Sequence, residues 1–163
     1  HMTLSLPCAF GSPFGDEVPV DRLKWLIEEA EKVGVEEIGV ADTAGISNPA
    51  NTPRVLEAIK NYTDISKVTL HMHDTYGMGI ANAYVGLEEG VTMLESSLAG
   101  MGGCPFVPGA KGNIATEDLL YMLHDMGIDT GYDLTQVNQV AVEMAEEIQA
   151  DVVSCQGAVC KHR

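Results

Sequence analysis

The feature that most constrains the fold is a repeated alternation of short apolar runs with longer stretches of helical period, punctuated by glycine. TLSLPCAF begins as a strand and ends in the turn-rich GSPFGDE. VPVDRLKWLIEEAEKVG follows. Its Val20, Leu23, Leu26, Ile27, Ala30 and Val33 keep helical spacing, with Pro19 suited to the first turn and Gly34 to the stop. Trp25 sits beside that stripe and is expected to pack. VEEIGVADT reads as the second strand, and a helix from Asn48-Pro49 runs through Arg54, Leu56 and Ile59. KVTLHMHD is the third strand, followed by a helix over 79–89 that Gly90 stops. VTMLESSLAG is the fourth, and a glycine-rich loop covers 99–115. TEDLLYMLHDMG is a helix ended by Gly127. A last helix runs from about Asp133, where Asp-x-x-Gln forms a capping pair, through Val137, Val140, Met144 and Ile148.

Repeated βα units imply a parallel sheet with right-handed crossovers. GVEEIGVADTAG and GVTMLESSLAG echo each other about two units apart, each with a helix-stopping glycine, a strand and a closing Ala-Gly. Four strands are too few for a closed (β/α)₈ barrel of about 250 residues. The fold class is therefore α/β, either a small open sheet or a (βα)₄ half barrel with an extra C-terminal helix. His1-Met2 reads as a tag remnant, residues 3–150 as the domain, and 151–163 as an irregular tail.

Composition supports a packed core: 45% of the 163 residues are hydrophobic and 20% charged. A formal charge of −15 argues against nucleic acid and anionic membrane surfaces as partners, because both need clustered Lys and Arg. No apolar run reaches the ~20 residues of a membrane span. Cys8, Cys104, Cys155 and Cys160 match no zinc ribbon and are too sparse for a disulfide scaffold, so a reducing intracellular compartment is expected.

In parallel α/β folds, ligands bind at the carboxyl ends of strands, where Cys8, Asp42, His71, His73 and the glycine-rich loop all fall. His71 and His73 share a strand face roughly 7 Å apart. They read either as two ligands of one metal or as partly buried wall histidines. Asp74 points to the other face, as an orienting group or a loop cap. AGMGGCPFVPGAKGN holds five glycines, two prolines and Cys104, a setting that suits a reactive thiol better than a core cysteine. Asn113 offers an amide oxygen to a metal or a cap to the next helix, and composition favours the cap. His124 is expected at the surface or half-buried.

The stretches VTLHMHDTYGMGIANAYVGLEEGV and SSLAGMGGCPFVPGAKGNIATEDLLYML resemble the 3-hydroxy-3-methylglutaryl-CoA lyase family, over about Leu4 to Ile148. Related synthases generally carry His-x-His-Asn-Asp and lack the cysteine loop. The resemblance implies the C-terminal half of a TIM barrel, and cleavage of 3-hydroxy-3-methylglutaryl-CoA into acetyl-CoA and acetoacetate. It implies His71, His73 and Asn113 as ligands of Mg²⁺ or Mn²⁺, and Cys104 and His71 as catalytic groups. Asp42, in a stretch matching a family Gly-Asp-Thr, would support the site geometry. Asp74 is a supporting residue by its place after the strand, and Lys111 a phosphate contact for an acyl-CoA substrate only by its place in the glycine-rich loop. Its Arg-Asp-Gly motif and a second-strand acidic residue have no counterpart here, so an isolated half barrel is expected to be weak or inactive. Two open sheet edges and an apolar inner face predict a homodimer, or pairing with a complementary half barrel. The alternatives are a non-catalytic self-associating folding module, a binding module without turnover, and a fragment of a related metal-dependent aldolase or acyltransferase. The family implies a cytoplasmic setting, or the mitochondrial matrix in a eukaryote. Cys160-Lys161 resembles a near-terminal cysteine of some lyases.

Overall fold

A computed structural model describes residues 1–16 and 18–160. Lys161 and the last two residues of the expected tail lie outside the described residues. The chain forms two compact units. One is His1–Glu95 with Cys104–Lys111, and the other is Ser96–Gly103 with the chain from Gly112 onward.

The first unit carries the sheet. Strands β1 (Thr3–Leu6), β2 (Glu37–Asp42), β3 (Val68–Met72) and β4 (Met93–Glu95) are all parallel and lie in the order β1-β2-β3-β4. Helices α1 (Val20–Lys32), α2 (Thr52–Lys60) and α3 (Gly79–Glu88) connect them in turn. Parallel strands in sequential order, each joined by a helix, are the winding of a (β/α)₈ barrel taken over four strands. Of the two classes that the alternation left open, the small open sheet and the half barrel, the chain adopts the half barrel that the family resemblance implies.

The two faces of this sheet differ. Ile38, Val40, Val68, Leu70 and Met72 are buried on one face. Helix α3 lies so close there that a Cβ on Gly86 would come within 2.5 Å of the Leu70 side chain. The opposite face carries Thr3, Ser5, Glu37, Gly39, Ala41, Thr69, His71, Met93 and Glu95, in rows set by the register. It is polar, which corrects the expected apolar inner face. Thr69 donates to Glu37 (2.5 Å) across neighbouring strands on this side.

Helix ends follow the chemistry of their residues. Gly34, Gly90 and Gly127 adopt positive φ (77°, 93° and 80°). The next residue's N–H returns to the carbonyl five back, as in Val35 to Ala30, Val91 to Gly86 and Ile128 to Leu123. Asn48 does not start α2. Its Oδ1 accepts from Ala50 and Asn51 N–H, holding a turn, and the helix begins at Thr52 with Pro53 in its first turn, where a missing N–H costs nothing. The fourth strand is shorter than expected, because the chain leaves the ladder at Glu95 for a 3₁₀ turn over Leu98–Gly100. Trp25 is 52% exposed and does not pack in the core.

The second unit contains α4 (Thr116–Asp125), α5 (Leu134–Glu147) and α6 (Cys155–Cys160). Asp133 caps α5 as its sequence suggests, accepting from Thr135 and Gln136 N–H. The buried face of α5 is Asn138, Ala141 and Ala145, whereas Val140 and Ile148 are exposed. The small alanines pack with Ala99, Leu98, Met101 and Val152, so close approach and not side-chain bulk selects the face. The tail expected to be irregular is helical over Cys155–Cys160, because Asp118 of α4 accepts from the N–H groups of Cys155 and Gln156. His124 is half-buried and hydrogen-bonds Thr130 Oγ1 (2.7 Å). Among the described residues no helix is long and apolar enough to cross a membrane.

Candidate active site at the strand ends

The carboxyl ends of β1, β2 and β3 bring polar groups together within the first unit. His71 is the penultimate residue of β3, and His73 follows just past its end. Their Nε2 atoms are 3.1 Å apart, with ring centroids at 5.1 Å. Two nitrogens held at right angles, ~2.1 Å from one ion, would themselves lie ~3 Å apart. The pair is therefore close enough for both nitrogens to share one divalent cation. Among the described residues no group of three His, Cys, Asp or Glu side chains gathers for a metal.

On its far side, His71 Nδ1 is 2.7 Å from Glu95 Oε2. Sequence reasoning passed over Glu95. Its only signal is an acid at the end of the fourth strand, and its meaning depends on the register that sets it opposite His71.

Asp42 ends β2 and is wholly buried. Its carboxyl group accepts from Ile46 N–H (3.1 Å) and Ser47 N–H (2.9 Å), closing the loop after the strand. Burial pushes its pKa above the ordinary carboxylate range, against the lowering effect of those backbone bonds. Asp42 shapes the strand end through these loop bonds. The next residue, Thr43, joins two cysteines: its hydroxyl accepts from Cys8 N–H (3.0 Å), and its carbonyl accepts from the Cys104 thiol (3.4 Å). The segment Cys104–Lys111 is also tied at its other end, where Lys111 Nζ lies 3.8 Å from Asp74 Oδ2. Asp74 Oδ1 meanwhile accepts from Gly79 N–H at the start of α3.

Asn113 belongs to the second unit. Its Nδ2 donates to the carbonyls of Met101 (3.1 Å) and Gly102 (3.3 Å). It does not cap α4, whose N-cap is Ala115 with no side-chain bond, so the cap that composition favoured is not made. With both donors committed, the amide oxygen is the pole left without a hydrogen bond among the described residues. Gly112 permits this turn, since a Cβ there would meet the Gly102 carbonyl oxygen at 2.1 Å.

A fold of this winding defines a fragment of the (β/α)₈-barrel class. Comparison with known proteins narrows it. The HMGL-like family model matches residues 2–143, and the chain belongs to that family. It is 40% identical over 141 residues to hydroxymethylglutaryl-CoA lyase of Pseudomonas mevalonii, covering 86% of this chain and 47% of that protein. The crystal structure of the Bacillus subtilis HMG-CoA lyase superposes with a TM-score of 0.93 at 36% identity, over 98% of this chain and 53% of the other. An Acinetobacter baumannii HMG-CoA lyase solved with coenzyme A and 3-methylmalate gives 0.89 at 33% identity, over 96% and 51%. The chain spans about half the length of the curated relatives it matches.

Proposed function

We propose that this chain is part of a divalent-metal-dependent lyase that cleaves 3-hydroxy-3-methylglutaryl-CoA into acetyl-CoA and acetoacetate. The observation that carries the reading is the His71–His73 pair, with Nε2 atoms 3.1 Å apart at the carboxyl end of a barrel-type strand in an HMGL-like chain. His71 and His73 hold Mg²⁺ or Mn²⁺; Asn113 is the further ligand that the family resemblance implies. When bound, the ion makes the C3 hydroxyl of the substrate more acidic and steadies its charge.

The chain's own residues supply the rest. A base takes the C3 hydroxyl proton as the C2–C3 bond breaks to leave a ketone and an enolate of acetyl-CoA. The Cys104 thiol protonates the enolate at C2, and the proton given up by the hydroxyl restores the thiol. Thr43 is the group that parks this thiol, through its carbonyl. Asp42 acts through the backbone by fixing the loop that carries Thr43. Asp74 holds Lys111, which thereby stands on the segment with Cys104, where a cation suits the phosphates of an acyl-CoA.

A second reading, a self-associating module without turnover, rests on a different observation: β1 and β4 are both sheet edges. A homodimer or a complementary half barrel would cover them.

Acetoacetate release is measured from 3-hydroxy-3-methylglutaryl-CoA with Mn²⁺ and with a chelator, by this chain alone and with the complementary half barrel of a relative. Turnover that needs Mn²⁺ and vanishes in Cys104→Ala supports the lyase. In parallel, Mn²⁺ at a hundred times its Kd adds ~2.7 kcal/mol of stability, several degrees in Tm, and His71→Ala abolishes the shift. A wild-type chain without turnover in either mixture and without a Mn²⁺ shift overturns the lyase reading. Light scattering decides the second reading, which a monomer at micromolar concentration overturns.

A further inference from the structure

The parallel register of β3 and β4 pairs His71 with Glu95, so both side chains leave the sheet on its polar face. The Glu95 Oε2–His71 Nδ1 distance of 2.7 Å is short for an N–H···O bond. A carboxylate only accepts, so Nδ1 carries the proton in this bond. In a neutral imidazole the other nitrogen, Nε2, is then a bare lone pair. That lone pair is the one 3.1 Å from His73 Nε2. Strand β4 ends at Glu95, so its carboxyl group stands at the same end of the sheet as His71.

We infer that Glu95 is a positioning residue: it holds His71 in the Nδ1–H form and in one ring orientation, so that Nε2 is the ligating atom. Its use for a cation rests on the metal-dependent reading above, but its hold on the imidazole does not. Glu95 is half-exposed, and its effect is on tautomer and ring direction more than on local charge. Histidine ligands of metals are oriented in this way by carboxylates, and removing such a partner typically costs 10- to 100-fold in affinity.

The test uses the full chain labelled with ¹⁵N. Long-range ¹H–¹⁵N correlation in the metal-free protein, at a pH where the histidines are neutral, reads each tautomer. Mn²⁺ affinity is read by calorimetry on the same samples. We expect His71 as Nδ1–H in the wild type and shifted toward Nε2–H in Glu95→Ala, with the Mn²⁺ Kd raised ~10- to 100-fold. Glu95→Gln retains an accepting oxygen, so it keeps the tautomer and loses less affinity. Tm should stay within about 2 °C in both variants, since the lost pair is half-exposed. An unchanged tautomer and Kd in Glu95→Ala overturns the inference even if Mn²⁺ binds tightly to the wild type. Should the wild type take no Mn²⁺ while Glu95→Ala still shifts the tautomer, the metal reading falls and the hold of Glu95 on His71 stands.

Discussion

Two turns of the molecule share a sequence echo and a backbone device, yet they are anchored in opposite ways. After β2, Gly45 N–H returns to the Asp42 carbonyl (2.9 Å) with φ of 64°. After β4, Gly100 N–H returns to the Ser97 carbonyl (3.1 Å) with φ of 67°. Each glycine is crowded by a distant residue: a Cβ on Gly45 would lie 2.9 Å from Thr75 N, and one on Gly100 would lie 2.8 Å from Val153 Cγ2. The polar anchor of the first turn is local. Asp42 satisfies N–H groups four and five residues on. The second turn has serine where the first has aspartate, and its anchor comes from α4. The fully buried Glu117 accepts from Ala99 N–H (3.0 Å) and from the Ser154 hydroxyl. A repeated turn thus keeps its backbone geometry while the group that neutralises its buried donors moves from the loop to another element.

The comparison breaks most severely at the remote anchor. Glu117→Ala leaves two buried donors unpaired and opens a cavity, so urea denaturation should show a loss of about 3 kcal/mol or more. A loss under about 1 kcal/mol would mean that water replaces the carboxyl group and that the turn anchors itself. Asp42→Ala should cost less, about 2 kcal/mol, because the loop can turn its N–H groups toward solvent.

The ionisation of Asp42 sharpens the contrast. Its folded pKa is raised by burial, so its contribution is fully present below the unfolded value near 4. That contribution is lost as pH rises through the folded value. Asn at this position does not titrate. The stability of the wild type relative to Asp42→Asn should therefore be greatest at the acid end and decline with rising pH. Urea midpoints from pH 3 to 7 that run parallel for the two proteins would contradict this sign.

The smallest effect concerns a helix end. Helix α5 closes like α1, α3 and α4, with Ala150 N–H on the Ala145 carbonyl, but Gln149 occupies the left-handed position at φ of 56°. Gln149→Gly should stabilise the chain by about 0.5–1 kcal/mol. A loss in thermal unfolding would show that the Gln149 side chain contributes more than its backbone strain costs.

How far the molecule was legible in its sequence follows the range of the interactions. Strand–helix alternation, the stops at Gly34, Gly90 and Gly127, and the Asp133 cap depend on contacts within about five residues, and each appears where its residues suggest. Spacing along one strand brought His71 and His73 together. Where a local signal competes with a distant one, the sequence misleads. Asn113 has the composition of a helix cap, but its amide is taken by the carbonyls of Met101 and Gly102 across the loop. In α5 the larger apolar residues suggested one face, and close packing on Ala141 and Ala145 chose another.

By itself, then, the sequence determined the strand–helix order up to α5, the glycine stops of α1, α3 and α4, the Asp133 cap, and which residue types stand at the strand termini, because backbone hydrogen bonds and caps reach only to near neighbours. Tertiary structure alone decided that Glu95 meets His71, 24 residues away, and that Glu117 serves the turn at Ala99. Strand register and helix docking set those meetings. Both are fixed by how whole faces pack, which no short stretch of chain encodes.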